Sequence, residues 1–260
     1  MATSGAPAAR YDEWADWYET YMQGAAQGFT RRTSDALAQV LGRGSGPVLD
    51  VACGTGFYAP VLRRLGWTPL GLDLSRGQLR YARDRMPAVA ADATRPPLRA
   101  AALAALSAVM CQTVIDDDDA ALRARTSALR PAGIFAHVGV HPCYTGAFAD
   151  RSDPARVLIT LGYWRRDRSF DSWAPHGVRA RVGATHLPVG DLMNALTAAG
   201  LRIERVVELG SPVPDILAVR CRRLGVTGPG WCRGRGGLPG PGWGRRRRTS
   251  SWSSGPGRCR

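Results

Sequence analysis

Short apolar segments that read as β-strands alternate with segments of helical periodicity along most of the chain. Strand-like segments occupy residues 47–52, 68–75, 88–98, 103–114, 133–141, 201–209 and 215–223. Helical periodicity is found at 11–22, 30–41, 58–66, 75–86, 116–130 and 188–200. Such alternation predicts a parallel sheet that is covered by helices on both faces. We therefore expect an α/β fold with a doubly wound, mostly parallel sheet of seven strands.

Two segments depart from the alternation. Residues 142–186 are irregular, aromatic and rich in arginine, and they read as an insertion after the fifth strand. Residues 224–260 are Gly, Pro, Arg, Ser and Trp without periodicity, a composition that predicts disorder because it cannot bury a core. We expect one domain over 1–223 and a disordered tail over 224–260.

The charge of the chain is uneven. All 35 basic residues are arginine, and the net charge is +14. Eight arginines lie in the acid-free tail, so 27 arginines against 21 acids leave residues 1–223 at +6. The tail has two open interpretations: an arginine-rich arm that binds nucleic acid, or GC-rich DNA translated out of frame. A nucleic-acid partner is therefore expected only if the tail recruits it.

The cysteine spacing and the apolar runs bear on the cellular compartment of the protein. The six cysteines have no CxxC or zinc-like spacing, which favours reduced thiols. No apolar run is long enough to cross a bilayer, and the first residues lack the apolar core of a signal peptide. We expect a cytoplasmic protein without a membrane partner.

The stretch VLDVACGTGFYAP, residues 48–60, predicts a strand that turns sharply into a helix. Gly54 and Gly56 permit positive φ and the close approach of a ligand, and free N–H groups at the helix start would face that ligand. With Ala59 in third place, the spacing is compatible with a dinucleotide fingerprint. A P-loop is excluded because no G-K-[ST] follows.

An acid lies at the end of each of three consecutive strands. Asp50 lies four residues before Gly54, where a carboxylate steadies the turn and faces a cationic ligand. Asp73 is placed to accept hydrogen bonds from two ribose hydroxyls, and Asp92 is placed to contact an adenine amino group. Singly, Asp50 could cap the turn and Asp73 could form an Asx turn. Jointly, the acids favour a nucleoside with a positive centre over a diphosphate.

The segments VLDVACGTG, LGLDLS, AADATRPPL, SAVMCQTVIDDDD and LRPAGIFAHVGVHP resemble, in this order, the motifs of class I S-adenosylmethionine-dependent methyltransferases of the bacterial small-molecule type. The resemblance covers roughly residues 11–222. It implies a Rossmann-like fold, methyl transfer and S-adenosylmethionine as cofactor. By resemblance, the cofactor site comprises Tyr11, Tyr18, Asp50, Ala52, Cys53, Gly54, Gly56, Asp73, Leu74, Asp92, Ala93 and Cys111. Ala52 departs from the family, which commonly has glycine there.

The N-terminal stretch YDEWADWYETYM places five aromatic residues on one face of a predicted helix. One interpretation is packing against the core, and the other is a lid over the ligand. The resemblance favours the lid for Tyr11 and Tyr18, because a similar helix covers the cofactor in many members of the family.

A catalytic base is the least constrained part of the site. Methyl transfer from a sulfonium depends mainly on positioning, and a base is needed only if the acceptor must lose a proton. His141 follows the fifth strand and is our candidate base or substrate contact, with a structural role as the alternative. His137, inside that strand, is expected to be a core histidine. The acids at 116–119 suit a helix N-terminus, so no metal site is expected.

The insertion is the expected acceptor wall, and its aromatic and arginine content suits a planar or anionic small molecule. No N-P-P-[YF] follows the fourth strand, which argues against methylation of adenine N6. We therefore expect methyl transfer to an oxygen or nitrogen atom of a small molecule. The alternatives are an RNA or protein methyltransferase guided by the tail, and a non-catalytic protein of this fold. Neither the acceptor nor the oligomeric state follows from the sequence.

Overall fold

The computed structural model describes residues 9–115, 118–172 and 176–225. Nearly all of the predicted tail lies outside the described residues, as do two of the four consecutive acids and Trp173. The boundary expected at residue 224 therefore stays a prediction. None of the helices in the described ranges is long and apolar enough to cross a membrane.

Seven strands form one sheet, which confirms the predicted α/β, Rossmann-like fold. The strands are β1 Gly46–Val51, β2 Trp67–Asp73, β3 Ala88–Ala90, β4 Leu103–Val109, β5 Leu129–Val140, β8 Leu201–Leu209 and β9 Ile216–Arg223. Their order across the sheet is β3-β2-β1-β4-β5-β9-β8. Strands β1 to β5 run parallel. Only β9 is antiparallel to both of its neighbours, so the sheet is mostly parallel.

Helices cover both faces of the sheet. They are α1 Ala15–Gln23, α2 Gln27–Leu41, α3 Ala59–Arg64, α4 Arg76–Ala82, α5 Asp118–Ser127, α6 Val178–Val182 and α7 Val189–Ala198. Helix α1 starts four residues later than its aromatic pattern predicts, because residues 10–14 form turns instead. Strand β3 covers the first three residues of segment 88–98, which is predicted to be a strand followed by a loop. Beyond it, Asp92 bends the chain by accepting a hydrogen bond from the Thr94 N–H (2.8 Å).

The insertion contains little regular structure, as its composition predicts. Strands β6 Ala149–Asp150 and β7 Leu158–Ile159 form a small antiparallel hairpin, and α6 follows before the chain returns to the sheet through α7. The described part of the insertion thus consists mainly of turns and loops.

The two largest apolar clusters of the described residues lie one on each face of the sheet, and a third, smaller cluster joins the turn after β1 to α3 and α4. Alternate residues of β1 point to opposite faces, as the period of a strand requires. Val48 packs with Leu37 of α2 and Leu62 of α3. Its neighbour Leu49 belongs to the other cluster, with Leu192 of α7. Full burial of one such side chain contributes about 1.5–3 kcal/mol, so both layers fix the position of β1 and of the turn that follows it.

Candidate functional site

The carboxyl ends of the parallel strands open onto a cavity of about 350 Å³. It lies where the strand order reverses between β1 and β4, the kind of switch point at which α/β sheets bind ligands. Its walls come from the turn after β1, the ends of β2 and β4, the N-terminal segment and the insertion. All of the predicted cofactor residues except Gly56 line this cavity. Their roles toward a cofactor stay a prediction.

The turn after β1 uses positive φ at three positions. Gly54 has φ +56° and Gly56 has φ +73°, and Ala52 has φ +53° although it carries a side chain. A Cβ atom at Gly54 would lie 2.5 Å from Oε1 of Gln78, so this glycine keeps one wall of the cavity open. A Cβ atom at Gly56 would lie 3.2 Å from the Cα atom of Ala82. Gly56 therefore serves the packing of the turn on α4 and does not face the cavity.

Ala52 carries a conformational cost that glycine would remove. An L-residue in the left-handed region costs roughly 1–2 kcal/mol, part of which a glycine loses again to the entropy of the unfolded chain. We expect Ala52→Gly to raise the free energy of unfolding by about 0.5–1 kcal/mol in urea titrations. Ala88→Gly, in the extended strand β3, is the matched control and should lower the free energy of unfolding. The explanation would be contradicted if both variants lowered this free energy equally.

Asp50 and Asp73 reach the cavity from neighbouring strands. Asp73 accepts hydrogen bonds from the backbone N–H groups of Gly54 (2.7 Å) and Ser75 (2.8 Å). The hydrogen bond from Ser75 forms the Asx turn that the sequence offers as the alternative role of Asp73. Asp50 is 1% exposed and accepts a hydrogen bond from Ser107 Oγ (2.7 Å). Burial raises the pKa of Asp73 and raises the pKa of Asp50 to about 7.

Gln78 adds a polar group to the same wall. Its side chain is 3% exposed and lines the cavity, and its Nε2 finds no hydrogen-bond partner among the described residues. A buried amide without a partner costs roughly 1–3 kcal/mol. The cavity therefore offers an unsatisfied donor beside three carboxylates, a donor and acceptor set that suits a polar, positively charged ligand.

The N-terminal segment covers the cavity from one side. Tyr11 and Tyr18 both line it, with their rings edge to face at 5.5 Å. Burial raises the pKa of each hydroxyl, so both are protonated at neutral pH. Tyr11 and Tyr18 thus match the lid interpretation, but Tyr18 and Tyr21 both pack against an apolar core cluster, so the two interpretations overlap at Tyr18.

Polar contacts fasten this segment to the region of α4. Asp12 accepts hydrogen bonds from Ser75 Oγ (2.7 Å) and from the Gly77 N–H (2.9 Å). On α1, Glu19 forms an ion pair with Arg85. Arg85 also donates to the backbone oxygen of Thr55 (2.9 Å), in the glycine turn. Buried Glu19 on α1 and Arg85, just after α4, thus link the N-terminal helix to the glycine turn.

The ion pair of Glu19 should contribute measurably to stability. Burial alone would raise the pKa of Glu19, but its contact with Arg85 lowers it below its usual range. We expect Glu19→Gln to lower the free energy of unfolding by about 1–3 kcal/mol, the cost of a broken, largely buried pair. Asp16→Asn on the same helix removes an exposed pair with Arg80 and should cost less than about 0.5 kcal/mol. Equal effects of the two substitutions in denaturant titrations would refute this contribution.

The insertion also lines the cavity, through Arg168 and Val182. Arg168 donates to the backbone oxygens of Val114 (3.3 Å) and Val182 (3.4 Å). The guanidinium of Arg181 lies 4.3 Å from the ring centroid of Trp17 on α1, a cation–π contact. The insertion and the N-terminal helix are therefore in contact.

His141 is not among the residues that line the cavity. Its Nε2 lies 2.6 Å from Oε1 of Glu208 on β8, and its Nδ1 accepts a hydrogen bond from the Cys143 N–H (3.1 Å). Both ring nitrogens are thus occupied within the protein, and the ring is buried. This geometry favours the structural alternative for His141, whose role as a catalytic base or substrate contact stays a prediction.

The other histidines also lie away from the cavity. His137 is buried inside β5, and burial lowers its pKa to about 4, as a core histidine requires. His186 packs against the rings of Phe148 and Tyr163, and burial lowers its pKa to about 4 as well. Within the described ranges, no three His, Cys, Asp or Glu side chains are grouped so that they could hold a metal ion.

The family model and the solved structures that match this chain are all methyltransferases or share their fold. Residues 49–137 match the family model of a methyltransferase domain. An S-adenosylmethionine dependent methyltransferase from Mesorhizobium loti is 25% identical, with a TM-score of 0.61 over 73% of this chain and 96% of that chain. No curated protein matches significantly.

Two further solved structures share the fold at lower identity. A possible histamine N-methyltransferase from Thermotoga maritima is 17% identical, with a TM-score of 0.59 over 82% of this chain and 98% of that chain. A methyltransferase of Haloferax volcanii, solved with its Trm112 activator, is 15% identical, with a TM-score of 0.62 over 85% of this chain and 100% of that chain.

Proposed function

Because the chain carries a class I methyltransferase domain that uses S-adenosylmethionine, we propose that it methylates an oxygen or nitrogen atom of a small molecule. The observation that carries the proposal is a partly enclosed cavity. Tyr11 and Tyr18 line it from the N-terminal segment, and Arg168 and Val182 line it from the insertion. A nucleotide or side chain that belongs to a macromolecule needs an open approach, whereas a small acceptor can be enclosed.

The lining of the cavity fits the cofactor. When bound, S-adenosylmethionine supplies a methyl group on a positively charged sulfur. Asp73 would hold the ribose hydroxyls, Asp92 the adenine amino group, and Asp50 would face the cationic part. The free amide of Gln78 would gain a partner, and the open wall at Gly54 would leave room for the ligand. Tyr11 and Tyr18 would exclude water and orient the acceptor, which is the main task of this reaction.

Nitrogen and oxygen acceptors both remain within the proposal. The neighbour from Thermotoga maritima is named a possible histamine N-methyltransferase, an enzyme class with a small amine as acceptor. With His141 held by Glu208 and Cys143, the cavity works on acceptors by position and desolvation rather than through that histidine. A cytoplasmic location stays a prediction.

Transfer of labelled methyl groups tests the proposal. Full-length protein is incubated with methyl-labelled S-adenosylmethionine and with small-molecule, RNA and protein fractions of a cell extract. Label in the small-molecule fraction is the expected result. Label in RNA or protein that disappears on deletion of 224–260 would instead favour the enzyme guided by the tail. Cofactor binding without label in any fraction would favour the non-catalytic alternative.

A further inference from the structure

Large apolar side chains are exposed along one segment of the insertion. Among the described residues, five of the eight large apolar side chains that face solvent lie within 158–170. We call these five residues the apolar patch; they are Leu158, Ile159, Leu161, Trp164 and Phe170. Leu161 is fully exposed. A single exposed apolar residue is ordinary, but a group of them within one segment marks an interaction surface.

Buried Phe148 connects the parts of the apolar patch. Strand β7 supplies the first two residues of the patch and pairs with β6, which begins directly after Phe148. The ring centroid of Phe148 lies 5.5 Å from that of Tyr163, which in turn lies 4.9 Å from that of Trp164. Phe148 and Leu161 also line one small cavity together with the neighbours of Phe170 on both sides. The five exposed side chains therefore belong to one region of the surface.

The apolar patch is large enough for the centre of a protein interface. An aromatic side chain can bury roughly 150–250 Å², so the exposed fractions of Trp164 (77%) and Phe170 (55%) correspond to about 200–300 Å². With its three aliphatic side chains the patch reaches on the order of 500 Å², near the upper end for the largest patch of a monomer. One partner of a standard interface contributes about 800 Å², so a polar rim would complete it.

The charges beside the apolar patch identify the kind of partner. Three exposed ion pairs flank it, Arg156 with Asp153, Arg165 with Asp167 and Arg166 with Asp191. These pairs carry no net charge, so they offer no excess charge to a strongly acidic or basic partner. A second copy of the chain brings the same pairs, and a two-fold arrangement lets the arginines of one copy face the aspartates of the other. The rim is therefore complementary to itself.

The hairpin beside the apolar patch has an open strand edge. Within the described ranges, β7 pairs with β6 alone. An open edge is a template for pairing with another strand, and antiparallel pairing of β7 with β7 of a second copy obeys two-fold symmetry. Leu158 and Ile159 lie on this strand and in the patch. Strand pairing and apolar burial would thus involve the same residues.

We propose that the apolar patch is the interface of a homodimer, in which the patches of two copies pack together about a two-fold axis. Burial of apolar area drives the association, and the ion pairs form its rim. The assembly does not depend on which acceptor is methylated. A Cβ atom at Gly183 would lie 3.0 Å from Cζ of Phe170, and the preceding Val182 lines the large cavity. The dimer therefore supports the insertion beside the wall that it contributes to that cavity.

Sedimentation velocity of the full-length protein tests the proposal, over roughly 1–100 μM because association depends on concentration. We expect a dimer, and we expect Leu161→Asp and Trp164→Asp each to weaken it at least tenfold, since each places two carboxylates in an apolar interface. Leu161 is fully exposed, so its substitution should leave the circular dichroism and the unfolding midpoint unchanged. Val206→Asp is the matched control, because Val206 is exposed on β8 outside the patch. It should leave the dimer intact.

Cross-linking of carboxylates locates the interface in the unmodified protein. Equal amounts of isotopically heavy and light full-length protein are mixed and treated with a dihydrazide. Heavy–light links that join Asp153 or Asp167 of one copy to Asp153 or Asp167 of another are the expected result. Heavy–light links confined to other carboxylates would overturn the proposal.

Two results of the sedimentation experiment would also overturn the homodimer. One is a full-length protein that stays monomeric over the whole concentration range, whether the tail or a different protein then covers the apolar patch. The other is a dimer that survives both Leu161→Asp and Trp164→Asp. Loss of that dimer in Val206→Asp would place the interface at β8 instead.

Discussion

Replacing Asp73 with alanine is expected to weaken the binding of S-adenosylmethionine by about 100-fold or more. A carboxylate has about four lone-pair sites, and the backbone N–H groups of Gly54 and Ser75 occupy two of them. By the proposed function, the other two sites would accept hydrogen bonds from two ribose hydroxyls. Each hydrogen bond to a charged group contributes about 1.5–3 kcal/mol, so the loss of two corresponds to at least about 100-fold in the dissociation constant. Isothermal titration of the full-length variant measures this loss.

Two controls separate ligand binding from the shape of the turn. Asp73→Asn keeps an acceptor for the turn and should retain intermediate affinity. Asp12 is not itself a lining residue. Asp12→Ala removes the hydrogen bonds from Ser75 Oγ and the Gly77 N–H but leaves both hydrogen bonds of Asp73 to the turn in place, so it should lower stability more than affinity. A folded Asp73→Ala protein that binds S-adenosylmethionine as tightly as the wild type would show that Asp73 serves the turn alone.

Replacing Asp50 with asparagine is expected to stabilise the protein at pH 8 by about 2–4 kcal/mol. Burial raises the pKa of Asp50 to about 7 in the folded chain, against roughly 3.9 in an unfolded one. Between these values the folded state holds a proton that the unfolded state has lost. The stability of the wild type therefore falls as the pH rises from about 4 to about 7, by up to about 4 kcal/mol. Asparagine cannot ionise and does not pay this cost.

The measurement is the difference in unfolding free energy between wild type and Asp50→Asn at pH 4.5, 6 and 8. His137 and His186, whose pKa values burial lowers to about 4, act in the opposite direction, since their unfolded forms take up protons below about pH 6.5. Their contribution cancels in the difference. The gap should be small at pH 4.5 and largest at pH 8; a gap independent of pH would mean that Asp50 ionises normally.

The same group should make cofactor binding depend on pH. Ionised Asp50 favours a cation, so the affinity of the wild type for S-adenosylmethionine should rise between pH 6 and pH 8. Asp50→Asn should lose about tenfold in affinity at pH 8, since one close charge contact at an effective dielectric of about 20 exceeds 1.4 kcal/mol. The variant would thus be more stable and bind less well, a trade that functional sites often show.

Local pattern predicts the sheet and the side of it that binds a ligand. The run from Val48 to Gly56 contains its own strand, turn and helix signals, and parallel strands bring their carboxyl ends to one edge. Asp50 and Asp73 could therefore be located without coordinates. The Asx turn at Asp92, just beyond β3, could not be located in this way. Only the path of the chain shows which turn a short polar residue forms.

Long-range pairing accounts for what the sequence could not show. Asp12 binds Ser75, and Glu19 binds Arg85, across separations that no periodicity spans. Arg168 lies in a segment without regular structure, where no pattern says which way a side chain points. His141 was assigned from its place at the end of β5, but its direction is set by Glu208 on β8. All of these residues are positioned by partners that lie far away along the chain.

The last strand of the described residues lies inside the sheet. Strand β9 pairs with β5 on one side and with β8 on the other, so β8 emerges during translation before its only neighbour exists. Until residue 223 is synthesised, β8 has two unpaired backbone edges, which are templates for association between nascent chains. A transcript that stops before β9 would therefore yield an aggregating product rather than a shorter domain. Production of this protein in cells should depend on chaperones during that interval.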